Sequence, residues 1–247
     1  MRLIFLTLPL LMITSSAWAA DPGVLTSADE LYAKRADPAS VTALEALLKE
    51  QLKATPDDFE LVWRSARILQ WQADGATEPK RKMVLGRQTW DQGDKAAKLS
   101  PQRVEGYYYA ACGIGAYSQA VGIMKALGDG LEGKFNERLE TAIKLDATYE
   151  RGGPWVVKGR YYYELPWPKR DLGKSATFYN KAIARFPESL RAHYYLAETL
   201  LKDGKAQAAN DAIQKVLKGN TTYDASEAQR VQKWATKVNA DIQEELK

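Results

Sequence analysis

Gly128-Asp129-Gly130-Leu131-Glu132-Gly133 satisfies the G-x-G-x-x-G spacing of a dinucleotide-binding turn. That chemistry needs a strand before the first glycine, so that the glycines open a helix whose N-terminus meets a pyrophosphate. A helical pattern precedes Gly128 instead, and the segment reads as a flexible link between two helices. Gly173-Lys174-Ser175 matches the end of a phosphate-binding loop. The first glycine of G-x-x-x-x-G-K-[ST] would fall at Pro168, whose ring also removes a backbone donor, so the nucleotide reading fails. Lys174 and Ser175 fit the first turns of a helix.

His193 is the only histidine and Cys112 the only cysteine. One of each excludes metal sites built from His and Cys clusters, and it excludes an internal disulfide. A Ser-His-Asp triad would have to use His193, which stands at a core-facing position, and no G-x-S-x-G elbow supplies the nucleophile. Cys112 reads as a small buried apolar residue. The carboxylates fall mostly on charged helix faces. The expectation is a protein that is not an enzyme, with no cofactor and no metal.

The stretch Gly152 to Ser175 is dense in aromatics, glycine and proline, a mixture that fits a rigid turn beside a large apolar surface. Tyr161, Tyr162 and Trp167 either pack one element onto the next or line a groove or pore, as amphipathic rings do at binding surfaces. The candidate ligand- or partner-binding residues are Tyr108, Arg160, Tyr161, Tyr162 and Trp167, with Arg160 able to pair with a carboxylate.

These side chains need elements to hold them, and the chain supplies a recurrence. An Ala- and Lys-rich apolar stretch ends in a short break four times, near Pro56, Pro101, Ala147 and Pro187, at steps of 45, 46 and 40 residues. Such steps mean repeats with room for two helices and a turn each. In the last unit His193, Leu196, Ala197 and Leu200 share one helical face; beyond Asp203-Gly204-Lys205, the residues Ala209, Ala212, Ile213 and Val216 share another. Glycine suits the left-handed end of a helix and proline starts the next unit.

Counted from Leu190, the unit resembles a degenerate tetratricopeptide repeat, with His193 at its aromatic position, Leu196-Ala197 for Leu-Gly, Leu200 for Tyr, Ala209 for the central Ala and Ile213 for Phe. The other units are longer, with the excess in the links Gly75–Pro79, Gly128–Gly130 and Pro166–Pro168. An amphipathic helix from about Ala225 to Glu245 is expected to cap the stack. No sheet is expected, because Tyr107-Tyr108-Tyr109 and Tyr161-Tyr162-Tyr163 lie within helical patterns. The fold class is all-α: stacked helical hairpins in a tetratricopeptide-like right-handed solenoid.

Arg2, the apolar run Leu3 to Ile13 and Ala17-Trp18-Ala19 form the n-region, h-region and A-x-A site of a secretory signal peptide. Cleavage after Ala19 leaves a repeat domain of residues 20–247 in the periplasm. The apolar run is too short to cross a bilayer. The composition, 45% hydrophobic and 27% charged, is that of a folded chain, and 35 basic against 31 acidic residues give a net charge of only +4. The basic residues are scattered, so nucleic acid is not an expected partner.

Gly152-Gly153-Pro154, Gly159-Arg160-Tyr161-Tyr162, Leu165-Pro166 and Lys174-Ser175 follow one another in an order that resembles the T-component family associated with tripartite ATP-independent periplasmic (TRAP) transporters. The resemblance implies an exported helical-repeat accessory protein that partners the transporter's solute-binding protein. It also implies a ring-shaped homo-oligomer and a ligand path lined by apolar residues. The well-known members are lipoproteins, whereas no cysteine follows the expected cleavage site here. The same helical pattern resembles, more distantly, the regulators of microtubule dynamics; the bacterial-type signal peptide argues against a cytoskeletal role. The expected function is therefore a periplasmic scaffold that binds a solute-binding protein and an apolar small molecule. The alternative is an assembly scaffold of the cell envelope that binds another envelope protein and no small ligand.

Overall fold

The computed structural model describes residues 20–247; the leader read in residues 1–19 lies outside the described residues. Among the described residues there are twelve α-helices and no strand: α1 (Pro22–Ala33), α2 (Pro38–Ala54), α3 (Phe59–Gly75), α4 (Pro79–Leu99), α5 (Val104–Val121), α6 (Ile123–Gly128), α7 (Leu131–Asp146), α8 (Tyr149–Glu164), α9 (Leu172–Arg185), α10 (Leu190–Lys202), α11 (Ala206–Leu217) and α12 (Ala225–Glu245). The architecture is the expected all-α repeat array.

Local chemistry sets the boundaries. Asp37 and Glu78 accept hydrogen bonds from the first free backbone N–H groups of α2 and α4, and a proline follows each at the position where a missing N–H costs nothing. Asp58, Asp171 and Asp224 cap α3, α9 and α12 in the same way. The four sequence breaks fall where one hairpin gives way to the next, between α2 and α3, α4 and α5, α7 and α8, and α9 and α10. Gly204, at φ 71°, ends α10, with Lys205 N–H donating to the Leu200 carbonyl. The second unit is long because the short helix α6 is inserted between α5 and α7.

Apolar positions bury as the spacing predicts. Ala197, Ala209 and Ile213 are fully buried where α10 meets α11, and His193 is buried with them. The same core takes in Tyr179 from α9 and Val231 and Ile242 from α12. Helices α4 and α5 approach more closely than ordinary side chains allow. A Cβ at Gly93 would stand 2.3 Å from the Ala110 nitrogen, and one at Gly113 would stand 2.3 Å from the Trp90 nitrogen. Gly86 and Gly106 make the matching contacts with Tyr117 and Ala97.

The chain reverses into α8 through three consecutive left-handed residues, Glu150 (φ 48°), Arg151 (φ 55°) and Gly152 (φ 78°). Left-handed backbone at two non-glycine residues is strained and is held by its surroundings. Gly153 lies against the Tyr108 ring, and Gly159 against that of Tyr179. Two of the three glycines quoted for the family resemblance, Gly153 and Gly159, thus admit an aromatic ring to the helix backbone.

The last helix does more than cover an end. Asp224, which caps α12, pairs with Arg35 from the turn after α1. The Ser226 hydroxyl donates to the Ala33 carbonyl at 2.8 Å and accepts from Ala36 N–H at 3.2 Å. Arg230 donates to the Trp71 carbonyl at 2.7 Å, with its guanidinium over the indole face. The array curls until its first and last helices touch, and its concave side becomes an interior.

Candidate functional site

That interior is a cavity of about 260 Å3 with two kinds of wall. Helices α6 and α7 contribute Ile123, Ala126, Leu127, Leu131 and Phe135, which Val157, Tyr161 and Leu165 extend. The other wall carries Arg35, Arg67, Gln70 and Asp74, with Arg191 from α10 and Asp224 and Glu227 from the start of α12. Trp71, Tyr108, Cys112 and Ala116 also line it.

Charges in the wall are matched. Arg35, Arg67, Lys82, Arg151, Arg160 and Arg191 stand against Asp74, Glu132, Glu150, Glu164, Asp224 and Glu227, six of each sign. Arg191 donates to Asp74 at 2.8 Å and to Glu227 at 2.9 Å, bridging α3, α10 and α12. Burial alone would push the Asp74 carboxyl up, but Arg191 and Arg230 hold it below the ordinary carboxylate value. For Arg230 burial wins, and its pKa falls to about 10. Arg67 pairs with Asp29 at 2.5 Å and lies over the Tyr32 ring. Burial also raises the Cys112 thiol to about 12, so the thiolate is absent at neutral pH and the residue behaves as the small apolar group expected of it.

Of the five residues selected from the sequence, the structure brings three to this cavity. Tyr108 packs edge-on against Tyr109 and Tyr149. Arg160 pairs with Glu164 at 2.7 Å and Glu198 at 2.8 Å; burial opposes its charge, while Tyr195 and those carboxylates hold its pKa up. Tyr161 stacks on Phe135 and donates its hydroxyl to Glu132 at 2.7 Å. Tyr162 is outside the cavity lining, stacked on Phe178 of α9. Trp167 is elsewhere again and neither packs inside nor lines the cavity: it is 86% exposed.

The loop that carries Trp167 is nonetheless ordered by its own bonds. Arg170 N–H donates to the Pro166 carbonyl, Asp171 N–H to the Tyr162 carbonyl and Arg170 Nε to the Leu165 carbonyl. Lys169 reaches Glu132 at the start of α7 at 2.6 Å, and the Trp167–Pro168 peptide is cis.

Reading the sequence missed the arginine wall. One signal was present: Trp63, Arg67 and Trp71 recur every fourth residue, which puts a guanidinium on an aromatic helix face. Arg35 and Asp224 gave no local signal, because only the closure of the array brings them together.

A family model described as "Regulator of microtubule dynamics protein 1-3" matches residues 24–241. No curated protein matches the chain significantly. Among solved structures, a thermophilic TPR protein of Thermus thermophilus superposes with a TM-score of 0.65 at 20% identity, over 89% of this chain and 98% of that one. Yeast Tom70 aligns with a TM-score of 0.33 at 13% identity, over 92% of this chain and 65% of that one. The likeness to the Thermus protein shows a tetratricopeptide-type helical-repeat fold.

Proposed function

The chain belongs to the regulator of microtubule dynamics protein 1-3 family, and we propose that it is a non-enzymatic scaffold that grips a protein partner through the Trp167 loop. The observation that carries this reading is the combination of an indole 86% exposed with a loop fastened at both ends. An indole carried on an ordered backbone has few torsions to lose on binding, and Trp dominates the energetics of many interfaces. The chain's curled repeats supply a stable platform for it.

In the finer form of the proposal the chain is exported through its leader and serves a TRAP-type transporter, with the solute-binding protein as partner. The leader pattern and the order Gly152-Gly153-Pro154, Gly159-Arg160-Tyr161-Tyr162, Leu165-Pro166 support it. Mixing the purified chain with that solute-binding protein should give a complex that Trp167→Ala abolishes while helical content and thermal midpoint stay unchanged. A complex indifferent to Trp167→Ala would refute the role of the loop.

The family's description favours a second reading, in which the chain acts on microtubules. Co-sedimentation with assembled microtubules separates the two: the scaffold reading expects the chain to stay in the supernatant.

A further inference from the structure

The indole of Trp167 stands beside positive charge that the chain does not answer. Pro168, Lys169 and Arg170 follow it on the same exposed loop. Most cations around the loop have a carboxylate: Lys169 has Glu132 at 2.6 Å, Lys174 has Asp171 at 3.1 Å, and Arg160 has Glu164 and Glu198. Arg170 and Lys202 are the exceptions, and among the described residues neither pairs with a carboxylate.

Arg170 is uncountered yet held in place. Its Nε donates to the Leu165 carbonyl at 3.0 Å, which fixes the guanidinium against the end of α8 and leaves both Nη groups without a partner. A carboxylate can engage that edge with two parallel bonds. Lys202, at the end of α10, lies with its Nζ 4.2 Å from the centre of the Tyr163 ring. Partial burial, and next the charge of Arg170, hold its pKa below the ordinary lysine value, and Arg170 also acts on Tyr163. The carboxylates that act on Lys202 in the opposite sense, Glu164 and Glu198, are those already held by Arg160. Two cations thus share one patch with an exposed indole, and their repulsion is relieved by a carboxylate brought from outside.

We propose that the Trp167 loop takes hold of an acidic segment of its partner protein: an apolar pocket there receives the indole, and carboxylates on the pocket's rim meet Arg170 and Lys202. Two free cations and one indole are few for holding a chain on an anionic bilayer, where each basic residue adds little. A fixed guanidinium edge instead selects a carboxylate of matching direction. The proposal deepens the reading of this loop as the grip on a protein partner and rests on it.

The probes are two short synthetic peptides, one of alternating leucine and glutamate and one of alternating leucine and lysine, titrated into the purified chain. Tryptophan fluorescence reports binding, because Trp167 is the one strongly exposed indole among the described residues. At about 50 mM salt the glutamate peptide should bind at least ~10-fold more tightly than the lysine peptide, and it should weaken several-fold at about 0.5 M salt as the charges are screened. Trp167→Ala, Arg170→Glu and Lys202→Glu should each weaken the glutamate peptide at least ~10-fold. Lys202→Glu leaves the Arg170 bond to Leu165 untouched and should keep the thermal midpoint, so its effect is free of any loosening of the loop. Lys49→Glu, exposed on α2, changes the net charge equally and should alter binding by less than ~2-fold. Failure of the glutamate peptide to bind, equal affinity for the two peptides, or indifference to Lys202→Glu would each overturn the proposal. Tighter Trp167-dependent binding to vesicles of equal parts phosphatidylglycerol and phosphatidylcholine would overturn it in favour of a membrane. The grip itself is judged on the complex with the solute-binding protein: a complex lost in Trp167→Ala but intact in Lys202→Glu would overturn this inference alone.

Discussion

Arg35 and Asp224 lie 189 positions apart in the chain and 2.5 Å apart in the fold. Asp224 simultaneously caps α12 through Glu227 N–H, so one carboxylate both starts the last helix and fastens it to the turn after the first. With the Ser226 and Arg230 bonds it ties α12 back to α1 and α3 beside the cavity.

Asp224→Asn should therefore keep its capping function, since asparagine caps helices as well as aspartate does, while leaving Arg35 buried and without its counter-charge. Removing one partner of a buried pair is costly, and a loss of about 3 kcal/mol is expected in urea unfolding. A double-mutant cycle with Arg35→Met should show strong coupling between the two positions. Simple additivity would mean that the closure contributes little.

The glycines between α4 and α5 make an opposite-sign prediction from their neighbours elsewhere. Alanine in a helix interior ordinarily gains about 0.5–1 kcal/mol over glycine, and Gly133→Ala in α7, with nothing within 4 Å of the new methyl, should follow that rule. Gly93→Ala places a methyl 2.3 Å from the Ala110 nitrogen and should instead destabilise by about 1–3 kcal/mol. Equal signs for the two substitutions would contradict the close approach.

His193 gives the fold a pH dependence of defined sign. Burial is the main cause lowering its pKa from 6.5, with Lys215 adding to it, and the neutral ring donates from Nε2 to the Pro187 carbonyl at 2.9 Å. Between the folded and unfolded values the unfolded chain binds more protons, so stability is complete above about pH 6.5 and declines as the pH falls toward the lowered value. The slope should not exceed about 1.4 kcal/mol per pH unit for this one group. Unfolding free energies followed over that window should flatten in His193→Gln. The Asp74 contribution lies lower, being lost only as the pH falls below 3.8, so the two are separable.

Much of this architecture was legible in the sequence, because breaks at Pro56, Pro101, Ala147 and Pro187 and the apolar faces around Leu196 and Ile213 depend on local spacing. The start and end expected for the last helix are those of α12. The expectation that this helix caps the stack did not extend to its bonds to Ala33, Arg35 and Trp71, which come from curvature accumulated over the whole array. The candidate residues divide for the same reason. Tyr161 and Tyr162 are neighbours on α8, so they point to different sides, one to the cavity and one to Phe178. Aromatic density alone could not separate them, nor could it show that Trp167 is left in solvent. Of the two family resemblances, the more distant is the one that the match over residues 24–241 bears out.

The central claim, an exported scaffold that holds a protein partner, is tested most directly by native mass spectrometry of the chain purified from the periplasm. The account predicts a chain that begins at Ala20, in a stoichiometric complex with a solute-binding protein that dissociates in the Trp167→Ala variant. A chain that retains residues 1–19, or one that is recovered cleaved but free of any protein partner, would contradict it.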